Sequence, residues 1–210
     1  MSTRFVFFDL GNVLAMFSHE RLLQQVADAA HVSREMVNID HFVADGVQAR
    51  FEKGELSVDE YFETVCKRIG RSIERTAFFH AVNEIFQLNG EIMPFVSALA
   101  AANVPRGILS NTGPAHWHHC VTTFPEIREK IPDNHLLSFQ VHELKPFRGI
   151  YDSAFRMAEH AVPGISPNEI LFIDDLSKNV QGAIDYGIDA ILYTTPERLR
   201  QDFTKRGLPM

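Results

Sequence analysis

The stretch Phe5-Val6-Phe7-Phe8-Asp9-Leu10-Gly11-Asn12-Val13-Leu14 decides how this chain is read. Four apolar residues run straight into one carboxylate and then into residues that tolerate unusual backbone angles. A short apolar run closed by a turn signal reads as a strand buried on both faces, and Gly11 and Asn12 are residue types that readily accept positive φ. The chain is therefore expected to turn sharply just after Asp9. In an open parallel sheet, ligands gather outside the carboxyl ends of the strands, where backbone N–H groups freed by a turn can face an anion. Asp9 then stands at the solvent-facing edge of a crevice as a candidate reactive group. A turn-initiating Asp would look the same, so the assignment depends on partners elsewhere in the chain.

Beyond this stretch the pattern turns helical, and no strand is evident before residue 104. Ser18 can cap a helix with Leu22, Leu23, Val26, Ala27 and Ala30 at helical spacing. A helix from Asp40 carries Phe42, Val43, Val47 and Phe51 and stops at Gly54. Ser57 and Glu60 form a capping box before Tyr61, Phe62, Val65 and Ile69, and a further helix carries Phe78, Phe79, Val82, Ile85 and Phe86. Residues 15–88 are thus expected to form a helical insertion that could cover a site.

From Glu91 the chain alternates helix and strand, the signature of a parallel sheet with crossover helices. Strands are expected at Val104–Leu109, Leu136–Phe139, Ile170–Ile173 and Ala190–Tyr193. Pro114 opens one helix and Pro125 interrupts it; another runs from about Phe147 to His160, Ser177 caps a helix ending at Gly187, and Thr195-Pro196 opens the last. The fold class is α/β: a Rossmann-like, doubly wound parallel sheet with helices on both faces and a small all-helical cap inserted after the first strand. Residues 1–14 and 89–210 form the core of that scheme and 15–88 the cap.

With 210 residues, 45% of them apolar, one such domain can bury a sizeable core. A formal charge of -7 argues against a nucleic-acid surface, which needs clustered Lys and Arg. Cys66 and Cys120 are the only cysteines, so no disulfide framework is signalled. No cationic, apolar leader precedes the first strand and no apolar run approaches about 18 residues. A cytoplasmic protein with small or metal-bound ligands, and no membrane partner, is expected.

Strand ends and the loops after them carry Asp9, then Ser110 with Asn111, then Lys145, then Asp174 with Asp175. A carboxylate so placed can attack phosphorus and form an acyl phosphate that water later splits. Carboxylate and phosphoryl dianion repel, so a hard cation and a fixed positive charge are needed between them. Asp174 and Asp175 with Asp9 offer the oxygen ligands that Mg2+ prefers. Lys145 supplies a point charge and moderates repulsion among the acids. Ser110 and Asn111 can donate hydrogen bonds to the same phosphoryl oxygens.

As an ordered set, FFDLGNVL, ILSNT, LKPFRGIY and FIDDLSKN resemble the motifs of the haloacid dehalogenase-like hydrolase superfamily. The resemblance implies that Asp9 is the nucleophile and, with the Gly11 backbone carbonyl, a metal ligand. It implies that Asp175 binds Mg2+ directly, with Asp174 binding directly or through water. Ser110, Asn111 and Lys145 are implied as the phosphate-binding trio and Asn179 as an orienting residue of the catalytic group. One departure matters: family phosphatases usually carry a second Asp two residues after the nucleophile as general acid and base, and this chain has Gly11 there. The DLGN form resembles a subgroup that includes sugar-1-phosphate phosphatases such as alpha-D-glucose-1-phosphate phosphatase.

The reading is therefore a Mg2+-dependent phosphatase of a small phosphorylated metabolite, with a sugar phosphate as the expected class. A metal-independent 2-haloacid dehalogenase would use the same Asp on carbon and also lack the second Asp, but Asp174-Asp175 adds negative charge that a carboxylate substrate does not want. A catalytically silent binding or regulatory protein is suggested only by Gly11. His116, His118, His119 and Cys120 have the composition of a metal site, yet neighbouring helical residues point in different directions and cannot all meet one ion. His19 and the segment Arg50 to Glu55 lie where a cap could reach the site, or are simply solvated helix surface.

Overall fold

In a computed structural model, residues 3–210 are described. The opening stretch forms β1 (Phe5–Phe8), every residue of it buried. Phe5 and Phe7 enter one hydrophobic cluster while Val6 and Phe8 enter another, so both faces of the strand are covered, as continuous apolar character demands. The chain then makes β2 (Ala15–Phe17), α1 (His19–Ala29), α2 (Asp40–Val43), α3 (Val47–Glu52), α4 (Val58–Ile69) and α5 (Arg75–Asn83), and returns through β3 (Phe86–Leu88). After α6 (Met93–Ala101) come β4 (Arg106–Ser110), α7 (Pro114–Thr123), α8 (Pro125–Lys130), β5 (His135–Leu137) and α9 (Ser138–Val141). The chain closes with α10 (Arg148–Ala161), β6 (Ile170–Asp174), α11 (Ser177–Tyr186), β7 (Asp189–Leu192) and α12 (Pro196–Arg206).

The main sheet has the order β5-β4-β1-β6-β7, and all its pairings are parallel. β1 sits in the middle, with Val6 opposite Arg106 on one side and Leu171 on the other. The chain builds outward from β1 through β4 to β5, then crosses back to β6 and β7, which opens a crevice at the carboxyl ends around β1. Helices cover both faces, giving the expected α/β class. No helix among the described residues is long and apolar enough to cross a membrane.

Buried residues between Leu22 and Ile85 form a third cluster of their own, joined by Phe17 and Phe86 at its edge. Its helices begin as the sequence indicates: the Ser18 hydroxyl accepts from the Arg21 N–H, and Ser57 with Glu60 forms a capping box. Four local expectations are corrected. The region before residue 104 does contain strands, because β2 and β3 pair antiparallel with Phe17 opposite Phe86, and the helix expected to include Ile85 and Phe86 ends at Asn83. Three-residue strands carry too little periodicity to be read alone, and this pairing joins segments far apart in sequence. The helix expected from Asp40 to Gly54 breaks where Asp45 (φ 53°) and Gly46 (φ 69°) turn left-handed. The strand through Phe139 stops at Leu137, since Ser138 already begins α9. Ser177 is the first residue of α11 rather than its cap, a position taken by Leu176.

Candidate active site

Asp9 lies just beyond β1, its N–H donating to the Ile173 carbonyl of β6 at 2.9 Å, which fixes it between the two central strands. The Leu10 N–H donates to its Oδ1 at 2.7 Å. At 7% exposure it is buried and not solvent-facing, packed beside the likewise buried Lys145 and Asp174. Burial pushes its carboxyl up to about 7; the Lys145 ammonium opposes that rise and the Asp174 and Asp175 carboxylates add to it.

Lys145 is 3% exposed, and its Nζ meets Asp9 Oδ1 at 2.9 Å, Asp174 Oδ2 at 2.6 Å and the Leu109 carbonyl at 3.0 Å. Those three acceptors match the three protons of an ammonium. Burial works against its charge, but Asp9 and Asp174 outweigh burial and hold its pKa above the usual lysine value. The loop that delivers it is held by Asn111: the side-chain oxygen accepts from the Lys145 N–H at 2.8 Å and the amide donates to the Lys145 carbonyl at 3.0 Å. Asn111 therefore turns toward the lysine loop as well as lining the cavity. Ser110, at the end of β4, is buried, and among the described residues its hydroxyl meets only the Asn111 carbonyl, at a long 3.5 Å.

Asp174 ends β6 fully buried; Leu176 N–H donates to its Oδ1 at 2.8 Å, and the Asn179 amide reaches both carboxylate oxygens at 3.0 and 3.1 Å. Asp175 is half-buried, and the Asn12 amide donates to its Oδ2 at 3.2 Å. Burial raises the Asp175 pKa, an effect that Asn12 opposes. Asn12, not Gly11, takes the left-handed conformation at φ 53°, and its side-chain oxygen also accepts from the Phe17 N–H at 3.2 Å. Its role was not visible beforehand; its side chain was readable only as a turn former.

Asp9, Asp174 and Asp175 each offer a ligand atom within 4.8 Å of one another. Three clustered carboxylates with one ammonium, which pairs with Asp9 and Asp174, leave an excess of negative charge that a hard divalent cation would neutralise, so the donor set fits Mg2+. Among the described residues the buried Asn179 Oδ1 has no hydrogen-bond partner, at the edge of this cluster. Among the described residues no second group of potential metal ligands forms at His116, His118, His119 and Cys120. His118 is exposed, Cys120 is buried, and His116 sits edge-on to Phe86 with ring centroids 5.2 Å apart.

A cavity of about 170 Å³ opens between this site and the helical insertion. Leu10, Gly11, Ser110 and Asn111 form its floor, the Phe17 and Phe86 rings its flank, and Phe42, Gln48 and Glu52 its roof. His19 and His116 also border it. Within the segment Arg50 to Glu55 the roles divide: Arg50 and Lys53 pair with Glu55 at 3.6 and 3.1 Å, while Glu52 lines the cavity.

A family model described as haloacid dehalogenase-like hydrolase matches residues 3–187. A HAD family enzyme of Bacteroides thetaiotaomicron, solved in complex with magnesium and inorganic phosphate, is similar at 22% identity over 92% of this chain and 95% of that one, with a TM-score of 0.76. A predicted HAD-like family hydrolase from Porphyromonas gingivalis is similar at 22% identity over 98% of each chain, with a TM-score of 0.77. An L-2-haloacid dehalogenase of Xanthobacter autotrophicus with chloropropionic acid covalently bound is similar at 17% identity over 98% of this chain and 84% of that one, with a TM-score of 0.64. At these identities the solved structures speak for the fold alone.

Proposed function

Since this chain belongs to the haloacid dehalogenase-like hydrolase family, we propose that it is a Mg2+-dependent phosphatase acting on a small phosphorylated metabolite through an aspartyl phosphate on Asp9. The observation that carries this reading is the convergence of Asp9, Asp174 and Asp175 on one another, with a single ammonium pairing only the first two. Displacing halide from a carboxylate substrate gains nothing from two further acids, whereas a hard cation requires them. Asp9, Asp174 and Asp175, with the Gly11 carbonyl, would hold Mg2+. When bound, the ion neutralises the phosphoryl oxygens and lets the carboxylate approach them.

Asp9 attacks phosphorus, its new bond to oxygen forming as the bond to the leaving oxygen breaks. Lys145 holds Asp9 in place and presents positive charge to the transferring group. Ser110 donates to the phosphoryl oxygens, and Asn111 contributes by fixing the lysine loop as well as by lining the phosphate side of the cavity. Asn179 keeps Asp174 aimed at the ion. A space of about 170 Å³ is close to one that holds a benzene ring, which suits a small metabolite. Sugar phosphates are the class that the DLGN form implies.

Phosphate release from a panel of phosphorylated metabolites, in Mg2+ and in EDTA, tests the reading. EDTA should abolish turnover, Mg2+ should restore it, and Asp175→Ala should raise the Mg2+ requirement. Halide release from 2-chloropropionate that persists in EDTA overturns it.

A further inference from the structure

Gly11 stands where a general acid would be expected and has no side chain to donate a proton. A Cβ built on it would lie 3.2 Å from the Phe17 ring, so even the smallest side chain would press on that ring by a few tenths of an ångström. The proton for the leaving oxygen must come from another wall. Three titratable side chains beside the nucleophile loop border the cavity: His19, Glu52 and His116. His19 is solvent-exposed in the first turn of α1. His116 is neutral in the working range, because burial and the neighbouring His119 lower its pKa to about 4.

Glu52 is built in differently. Gln48, one turn earlier on α3, donates to its Oε1 at 2.7 Å, and the buried Tyr61 hydroxyl donates to Gln48 Oε1 at 2.6 Å. Tyr61 is itself stacked on Phe51, centroids 4.2 Å apart. The end of α3 is pinned to the sheet side, because the buried Ser138 hydroxyl donates to the Glu52 carbonyl at 2.5 Å and His142 Nδ1 meets the Lys53 carbonyl at 3.0 Å. Phe51 lies against Gly113 so closely that a Cβ there would be 2.3 Å from its ring. A carboxyl fixed through both its side chain and its backbone, over a floor made by Gly11 and Ser110, has the preorganisation that proton transfer needs.

Resting on the phosphatase reading above, we infer that Glu52 is the general acid and base of the reaction, supplied by the roof in place of the residue absent at Gly11. In the first half, Asp9 Oδ bonds to phosphorus, the phosphorus–oxygen ester bond breaks, and the Glu52 carboxyl gives its proton to the departing oxygen, leaving ROH and a Glu52 carboxylate. In the second half, water bonds to phosphorus, one of its protons passes to Glu52, and the acyl phosphate opens to Asp9 carboxylate and HPO4 dianion. Burial favours the protonated form of Glu52 and outweighs the Gln48 hydrogen bond and the fields of Lys145 and Lys178, all of which favour the carboxylate; a raised pKa suits the first half.

The test compares wild type, Glu52→Gln, His19→Asn and the surface control Glu55→Gln with a series of aryl and alkyl phosphates in Mg2+, reading phosphoenzyme formation in single turnovers. Glu52→Gln keeps the size of the side chain and its place beside Gln48. It should slow poor leaving groups by about 10² to 10⁴, leave dinitrophenyl phosphate within a few-fold, and let phosphoenzyme accumulate for every substrate. An unchanged leaving-group dependence in active Glu52→Gln overturns the role of Glu52 alone, as does the same loss in His19→Asn with none in Glu52→Gln. A wild type that releases no phosphate in Mg2+ overturns the phosphatase reading, and this role with it.

Discussion

Replacing Asp9 by Asn exchanges the attacking oxygen for an amide while leaving Lys145 its shorter contact, Asp174 at 2.6 Å. The variant should fold as wild type does by circular dichroism and lose about 10⁴-fold or more in turnover, the scale on which losing a nucleophile costs an enzyme. Retention of more than a small fraction of the wild-type rate would remove Asp9 from covalent catalysis. Lys145→Met asks the opposite question, because it strands two buried carboxylates. Urea unfolding should show a loss of about 3–5 kcal/mol, and a loss under about 1 kcal/mol would mean that those acids do not depend on the ammonium. Asp9, Ser110, Asp174 and Asp175 could be picked out because each sits at or just after a strand end, where local pattern and chemistry coincide; Lys145 lies further on, beyond β5 and α9, and is marked by its place in the ordered motif set. The bond of Asn12 to Asp175 and the hold of Asn111 on the Lys145 backbone could not be, and within the segment Arg50 to Glu55 nothing singled out Glu52, since each depends on parts of the chain that only folding brings together.

Among the elements, the end of α3 takes one of its holds from the Ser138 hydroxyl. Ser138→Ala removes the donor to the Glu52 carbonyl and leaves the Thr112 N–H, which donates to Ser138 Oγ at 3.0 Å, without its partner. Stability should fall by about 1–3 kcal/mol, and turnover of poor leaving groups should fall more than that of dinitrophenyl phosphate; equal loss for both would mean that α3 contributes packing alone. His116 joins α7 to β3 through the Phe86 ring. Its pKa, lowered from 6.5 to about 4 by burial, makes the unfolded chain the better proton acceptor between those values. The stability it confers is complete above about pH 6.5 and is lost as pH falls toward about 4. Denaturant midpoints of wild type and His116→Gln should therefore converge on acidification, and a constant gap from pH 7 to pH 4 would dismiss the effect. Helices with caps, such as α4, could be read because their start and stop signals are local. The β2–β3 pairing could not, because its register is set by a partner at the far end of the insertion.

For the molecule as a whole, the excess of buried acid couples metal, proton and stability. The Asp9 pKa rises from 3.8 to about 7 on folding, so the folded protein holds the extra proton between those limits, and metal-free stability declines as pH climbs through that window. Mg2+ needs the deprotonated site. At a hundredfold excess over Kd it should add about 2.7 kcal/mol, roughly 5–10 °C in Tm for a chain of this size. The gain should be largest at pH 8 and small at pH 5, and an equal gain at both would show that these carboxylates do not hold the ion. The antiparallel ribbon has a different consequence. Ala15 opposite Leu88 and Phe17 opposite Phe86, with Asn89 bonded to the Leu14 and Val13 carbonyls, make one stem from which the helical segment hangs. A stem fixes the ends of whatever lies beyond it, and doubling a flexible loop costs only about 0.6 kcal/mol. Over generations the hanging segment can lengthen, shorten or be exchanged while the acid-bearing strand ends keep their register, so that selection acts on what the enzyme accepts separately from how it reacts.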